Sequence, residues 1–207
     1  MALDTYLGLI GEVGSWTGRA DMSTARVDGF IDLTETWFNK HLRAQEMETT
    51  NGTLTYSGAV ITHPGDWLAW KHLYVTSNGT RYRLKPISQE QKDSLDDGTT
   101  GPPAFYHVSG GGTRLVPTPD STAYTISGTY FQKPPALGAS QSTNWILTNH
   151  PDAYLFGVLA MMEGFVIDDP RIGTWKTLFQ EAIVGIENNT ANASRQVPTM
   201  RVDIDVQ

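Results

Sequence analysis

The chain has 207 residues, contains no cysteine and carries a formal net charge of −7, with an isoelectric point near 5.1. Its length is enough for a sizeable hydrophobic core without a covalent or metal staple, and the absence of cysteine excludes disulfides and thiolate metal sites. The acidic balance, with no run of Lys or Arg longer than two, argues against a surface that grips phosphate backbones.

Two helices are predicted at the start of the chain. Apolar residues recur with helical spacing from Tyr6 to Trp16, where Asp4 is the expected N-cap. The same spacing returns from Val27 to His41, where Ser23 is the expected N-cap. Because the connection is short, the two helices are expected to form an antiparallel hairpin.

A β-rich region follows from about Glu46, where alternating and β-branched residues are separated by Gly, Pro and Asn. One short surface helix is predicted within it, because Ser88 and Gln91 have the spacing of a capping box. The expected strands are residues 47–54, 56–62, 73–75, 80–85, 104–108, 114–117 and 123–132.

Helical spacing returns after the Pro134-Pro135 pair. Pro151 suits the first position of a helix whose apolar face runs to Phe165, and Asp169-Pro170 is expected to start the last helix. Beyond Ser194 the sequence becomes polar, and only the alternation of Val202, Ile204 and Val206 remains, which predicts an extended arm.

These elements together predict an α+β fold. Both chain ends, residues 1–45 and 144–195, are expected to form one α-helical bundle. Residues 46–143 would be an inserted small β-rich domain, and residues 196–207 an extended C-terminal arm. We expect neither a signal peptide nor a membrane span, because no stretch approaches the ~18 uninterrupted apolar residues that a span needs.

No pattern indicates catalysis, a cofactor or a metal, so we predict none of these sites. No two histidines have the i, i+4 spacing of a zinc motif. The sequence Gly110-Gly111-Gly112 lacks the Lys and Ser or Thr of a phosphate-binding loop. An aromatic group, Trp67, Trp70, Tyr74 and Tyr82, is interpreted as core filling in preference to sugar stacking.

Two segments are candidate assembly surfaces. Met161, Met162 and Phe165 are interpreted as an inter-subunit helix surface, because methionine gives adaptable apolar contacts. The C-terminal arm suits strand addition, because its apolar residues lie on one side and its charged residues on the other. The arm residues assigned to docking are Val197, Arg201, Val202, Ile204 and Val206.

Six local strings, in order, resemble the phage head-to-tail adaptor family, whose members form rings below the portal. They are Trp37–Glu48, Pro64–Leu68, Gly101–Tyr106, Tyr130–Leu137, Asn144–Thr148 and Pro151–Gly157. One departure is Thr34-Glu35-Thr36, where the family more often has a plainer Ala-Glu pair.

The resemblance implies a structural virion protein without enzymatic activity, located at the head-to-tail junction and assembled in the bacterial host cytoplasm. It would form a homo-oligomeric ring, usually of twelve copies, that binds the portal protein and extends the channel for passing DNA without binding it specifically. Tail or nozzle proteins would attach below, and the arm would dock on the portal or a neighbouring subunit.

Two other functions fit parts of the sequence. A cell-wall or polysaccharide hydrolase would need two carboxylates facing each other across a cleft. A tail receptor-binding module would be a trimer with affinity for glycans.

Overall fold

The computed structural model of the chain describes residues 3–19, 21–96, 98–120, 124–165 and 169–195. Helices and sheets are both present, which confirms the α+β class. The chain divides into two compact units. The helical unit combines the chain up to Glu46 with the chain from Pro134 onward, and the β unit is Met47–Lys133. The chain thus returns to the helical unit ten residues before residue 144, the boundary that the sequence analysis gave.

The described part of the helical unit contains five α-helices and two 3-10 turns, one at Gln45–Met47, where the chain enters the β unit, and one after the fourth of its helices. None of the described helices is both long and apolar enough to cross a lipid bilayer. In chain order the α-helices are α1 (Tyr6–Thr17), α2 (Thr24–His41), α4 (Trp145–Asn149), α5 (Pro151–Met161) and α6 (Ile172–Arg195), and the 3-10 turn after α5 is Met162–Gly164; α3 (Gln89–Leu95) belongs to the β unit.

Helix α5 is the centre of the helical unit. A helix that is apolar on every side is stable only when it is surrounded, and α5 contacts α1, α2, α4 and α6. Helices α1 and α2 contact each other less than each contacts α5, so the predicted hairpin is not the main packing of either helix. The buried residues of α5 are Ala153, Tyr154, Leu155, Gly157, Val158, Leu159 and Ala160.

Gly157 allows α2 and α6 to approach α5 closely. A Cβ added at this position would lie 2.6 Å from Thr34 Cγ2 and 2.9 Å from Phe179 Cε2, well inside van der Waals contact. Thr34 is fully buried, and its hydroxyl donates to the Phe30 carbonyl one turn back. Because residue 157 has no side chain, the three helices α2, α5 and α6 can pack this closely.

The β unit consists of two sheets and the short helix α3. Its first sheet has the order β1-β9-β4-β5, and its second sheet has the order β2-β3-β8-β7-β6, with labels that follow chain order. The strands are β1 (Glu48–Leu54), β2 (Tyr56–Ser57), β3 (Val60–Ile61), β4 (Trp67–Ser77), β5 (Thr80–Arg83), β6 (Lys85–Pro86), β7 (Phe105–Ser109), β8 (Gly112–Val116) and β9 (Thr125–Gln132).

The two sheets share one hydrophobic core. Leu73, Val75 and Ile126 enter it from the first sheet, and Ile61 and Leu115 enter it from the second, all with no exposed surface. Side chains alternate between the faces of a strand, so the neighbouring residues, among them His72, Tyr74 and Thr129, lie on the opposite face of the first sheet. The predicted capping box of α3 is confirmed, since Ser88 and Gln91 exchange both hydrogen bonds.

Two strand predictions were wrong. Residues 56–62 form the hairpin β2–β3 instead of one strand, because Gly58 turns the chain with φ of +57°. Strand β4 begins at Trp67, six residues before the predicted Leu73. Register irregularities between Trp67 and His72 interrupt its alternation, and the period-2 pattern that marks a strand is lost there.

Helix boundaries also differ from the predictions. Thr5, instead of Asp4, caps α1 by accepting a hydrogen bond from the Gly8 amide at 3.2 Å. Helix α5 ends at Met161 instead of reaching Phe165. Helix α6 begins at Ile172, after the turn in which Asp169 accepts from the Arg171 amide. It continues to Arg195, well into the polar residues that follow Asn188.

Replacing Gly157 with Ala is expected to destabilise the chain by about 1–3 kcal/mol, because the added methyl group overpacks the contact with Thr34 and Phe179. Gly185→Ala in α6 is the matched control, since no atom lies within 4 Å of its added Cβ. That control should be neutral or slightly stabilising through helix propensity. Denaturant unfolding measures both, and equal stability of the two variants would contradict the packing argument.

Candidate functional site

Every histidine of the chain has a local structural role. No group of three or more His, Cys, Asp or Glu residues that could hold a metal occurs within the described ranges. The five histidines pack or bond as follows: His41 on the Trp37 ring, His63 on the Trp67 ring, His72 to the Arg83 guanidinium, His107 to the Ile87 carbonyl, and His150 against Trp145.

The predicted aromatic group is divided in the structure. Trp70 packs against the core of the β unit, and its Nε1 donates to Thr113 Oγ1 at 2.6 Å. Thr113 Oγ1 also bonds His63 Nε2, and burial lowers the pKa of His63. Tyr82, in contrast, is 46% exposed, so the core-filling interpretation fails for it.

Glu35 is the polar residue with the most consequential contacts in the helical unit. Its carboxylate Oε1 accepts a hydrogen bond from the Leu137 amide at 2.8 Å and another from the Tyr154 hydroxyl at 3.1 Å. Leu137 lies in the segment that returns from the β unit, and Tyr154 lies in α5. One side chain of α2 therefore binds both the returning segment and the central helix.

Asn144 extends this network. Its side-chain amide donates to the Tyr154 hydroxyl at 2.7 Å and to the Pro135 carbonyl at 2.8 Å. Its Oδ1 accepts from the Leu147 amide at 3.0 Å and so caps α4. Because Tyr154 is fully buried, an unpaired hydroxyl there would be costly, and the two partners satisfy it.

Burial raises the pKa of Glu35, although the hydrogen bonds from Leu137 and Tyr154 oppose the shift. Burial, followed by the facing Glu35 carboxylate, also raises the pKa of Tyr154 well above its usual value. The tyrosine hydroxyl therefore stays protonated and donates its hydrogen bond to Glu35. This arrangement positions chain segments.

The helix surface assigned to inter-subunit contact, formed by Met161, Met162 and Phe165, is only partly exposed. Met162 is fully buried, so its assignment to an inter-subunit surface was wrong: it continues the helical spacing of the buried residues Val158 and Leu159. Phe165 is partly covered within the chain, because the guanidinium groups of Arg19 and Arg26 lie 5.0 and 4.4 Å from its ring centroid. Met161 is partly exposed as well.

Met161 borders a pocket of about 330 Å³ between α2, α5 and α6. Trp37 and Phe179 form its apolar wall, and a salt bridge between Lys176 and Glu163 (2.6 Å) lies at its rim. Apolar walls with a charged rim are typical of protein–protein contact surfaces. The predicted docking residues Val197, Arg201, Val202, Ile204 and Val206 lie outside the described residues.

The excess negative charge belongs entirely to the helical unit. That unit has eight Lys or Arg and fifteen Asp or Glu residues, a net charge of −7, whereas the β unit has seven of each. The acidic balance of the composition is therefore a local property of the helices.

Sequence reasoning missed the role of Glu35. The residue was noted only as part of the unusual Thr34-Glu35-Thr36 string. The available signal was its position beside Thr34, on the flank of the apolar stripe of α2, where a carboxylate requires a buried partner.

The comparisons with known proteins agree with this picture of a structural chain. A family model described as SU10 adaptor protein matches residues 4–202, which cover the β unit and nearly all of the helical unit. No curated protein matches the chain.

Replacing Glu35 with Ala is expected to cost about 1–3 kcal/mol, because the Leu137 amide and the Tyr154 hydroxyl lose their acceptor. Glu35→Gln is the matched control, since an amide oxygen can still accept both bonds. Denaturant unfolding at one pH compares the two, and equal losses would show that the hydrogen bonds carry no stability.

The Gln variant also tests the raised pKa. A carboxyl whose pKa is raised by folding stabilises the native state below its usual pKa of 4.5 and loses this contribution as pH rises through the folded value. Wild-type stability, measured relative to Glu35→Gln, should therefore fall as pH increases from about 4. A relative stability that rises with pH would contradict the burial effect.

Proposed function

The chain belongs to the SU10 adaptor protein family, a family of phage head-to-tail adaptors, and on this premise we propose that it forms a ring beneath the portal of a phage virion. The ring would extend the DNA channel and give the tail or nozzle proteins a platform. The observation that carries the proposal is the family match across residues 4–202, because it includes the whole β unit and all but the first three and last five residues of the helical unit. Twelve copies, the number usual in the family, are proposed for the ring.

The contacts of the family-like strings support a structural role. Leu137, Asn144 and Tyr154 come from three of these strings, and all three serve the Glu35 network. Asp66, from a fourth string, accepts from the Tyr130 hydroxyl at 3.1 Å, and its carbonyl accepts from the Lys133 amide. These side chains hold backbone segments in place, which is the requirement of an assembly subunit.

The helices α5 and α6 are proposed to supply one lateral contact of the ring, through the pocket beside Met161. A closed ring needs heterologous contacts, in which two different surfaces of each subunit meet. The wall formed by Trp37 and Phe179 offers one such surface.

The charge distribution supports the channel part of the proposal. A negative lining repels the DNA duplex, so DNA slides past without binding. The helical unit, with its net charge of −7, is the candidate lining. A basic lumen with these acidic residues on the outer wall of the assembled ring would contradict this assignment.

The hydrolase alternative gains no support from three pockets that described residues line. One contains Asp120, a second contains Glu163, and a third contains neither Asp nor Glu. None of the three therefore brings together the two carboxylates that glycoside hydrolysis uses. Oligomer symmetry distinguishes the receptor-binding alternative from the proposed ring, because that alternative predicts a trimer.

Deleting Val197–Gln207 is expected to leave the chain folded and to weaken its docking to the portal protein or to the adjacent subunit. Unfolding of the truncated chain should match that of the full chain. Co-purification with portal is the measurement. Retention of the truncated chain equal to that of the full chain would contradict the docking role.

Replacing Met161 with Lys is expected to weaken ring assembly with little change in stability, because the side chain is partly exposed beside its pocket. Met162→Lys is the contrasting variant, since that side chain is fully buried and should destabilise the chain strongly. The amount of chain assembled on portal and the unfolding midpoint separate the two effects. If the Met161→Lys variant assembles fully on portal, the surface beside Met161 is not a contact of the ring.

A further inference from the structure

The pocket that contains neither Asp nor Glu lies wholly within the β unit and has a volume of about 370 Å³. It is called the proline pocket below, and it is lined by Tyr82, Arg83, Lys85 and residues 102–105. Its apolar wall remains open in the folded chain, because Tyr82 is 46% exposed and Pro102 and Ala104 are also exposed. A contiguous exposed apolar surface of this kind indicates a contact with another molecule.

The charged residues of the proline pocket, Arg83 and Lys85, are both cationic and both exposed. The guanidinium of Arg83 lies 2.8 Å from Nδ1 of His72, which positions the charge without neutralising it. Neither cation forms a salt bridge with a carboxylate of the described residues. Because complementary charges meet across protein interfaces, we expect the occupant to carry carboxylates beside an apolar side chain.

Helix α6 of the helical unit has a surface of this composition. Val184 is 52% exposed, and the exposed Glu181 and Glu187 lie three residues before it and three residues after it. Residues three apart are neighbours on a helix surface, so both carboxylates flank Val184. Neither glutamate forms a salt bridge with a described cation, and the sequence between Lys176 and Arg195 contains no Lys or Arg.

The spacing of the charges and the position of Val184 agree with such a contact. Six residues of helix separate the two glutamates by about 9 Å along the axis, and two residues of extended chain separate the two cations by about 7 Å. The long side chains of Arg and Lys can span the difference. Val184 also lies one turn after Gln180, which lines the pocket beside Met161, so it continues the surface already proposed for a lateral contact.

We propose that Val184 of one subunit inserts into the proline pocket of a neighbouring subunit, where Glu181 and Glu187 pair with Arg83 and Lys85. The inference rests on the proposed ring, because α6 and the pocket are the two different surfaces that a head-to-tail contact needs. Burial of the apolar wall around Val184 provides the affinity. The ion pairs at the rim fix the orientation of the helix and accelerate association.

Site-directed crosslinking tests this contact, and the absence of native cysteine makes it specific. One chain carries Val184→Cys, and a second carries Ala104→Cys in the wall of the proline pocket. The two chains are mixed in equal amounts with the portal protein and oxidised, and we expect a disulfide between them within the assembled ring. The matched control replaces Ala104→Cys with Val108→Cys, a position of β7 that is 41% exposed and does not line the pocket. Its crosslink yield should be several-fold lower.

The outcomes separate the contact from the ring itself. A ring that forms on portal without crosslinking through residue 104, or with equal crosslinking through residue 108, overturns the contact and leaves the proposed function intact. A disulfide that forms only when one chain carries both cysteines places α6 on its own β unit and also overturns the proposal. If no ring forms, the proposed function and this contact both fail.

Charge exchange tests the ion pairs. A chain with Arg83→Glu and Lys85→Glu should assemble on portal several-fold less than wild type, and so should a chain with Glu181→Lys and Glu187→Lys. A chain that carries all four substitutions should regain assembly, because opposite charges face each other again. Unfolding midpoints close to that of wild type show that the variants are folded.

The four-fold variant also restores the net charge, so a second chain separates pairing from net charge. It combines Arg83→Glu and Lys85→Glu with lysines at Asp4 and Asp32, two exposed acidic residues of the helical unit outside α6. Assembly of this chain should stay low. Equal recovery by both chains, or recovery by neither, contradicts the pairing. A ring that forms normally from the Arg83→Glu and Lys85→Glu chain but no longer holds tail proteins assigns the pocket to a tail protein and overturns the proposal.

Discussion

The helical unit depends on the hydrogen bonds that Glu35 accepts. Its chain leaves at Glu46 and returns at Pro134, so two sequence segments separated by the whole β unit must be joined by side-chain contacts. Glu35 joins them by binding the Leu137 amide of the returning segment and the Tyr154 hydroxyl of α5. Burial makes the charged carboxylate less favourable, but two donors at one oxygen compensate for much of that cost.

Gly157 complements this polar contact with an apolar one. It lets Thr34 of α2 and Phe179 of α6 reach the backbone of α5, and Phe38 packs edge-on against Tyr154 at 5.2 Å between ring centroids. Residues 34, 35 and 38 of α2 thus hold α5 from one side. The strings that resemble phage adaptors supply most of the partners in these contacts. Part of the resemblance is therefore carried by residues that close the helical unit.

The sequence allowed the order of helices and strands to be predicted, because helical spacing, the capping box at Ser88 and the turn residues act locally. It failed where tertiary context decides. Strand β4 lost its alternation at irregular pairing with β9. Of the two adjacent methionines, Met162 continues the helical spacing of the buried residues Val158 and Leu159 and is fully buried, whereas Met161 is partly exposed. The partners of Glu35 are more than 100 residues away, and no local pattern indicates them.

Native mass measured for the chain alone, and again after mixing with the portal protein of the same phage, tests the adaptor function most directly. An adaptor ring predicts a portal-sized complex that carries a full ring of subunits. A chain that remains a monomer or a trimer and ignores portal would contradict the assignment and favour the hydrolase or receptor-binding alternatives.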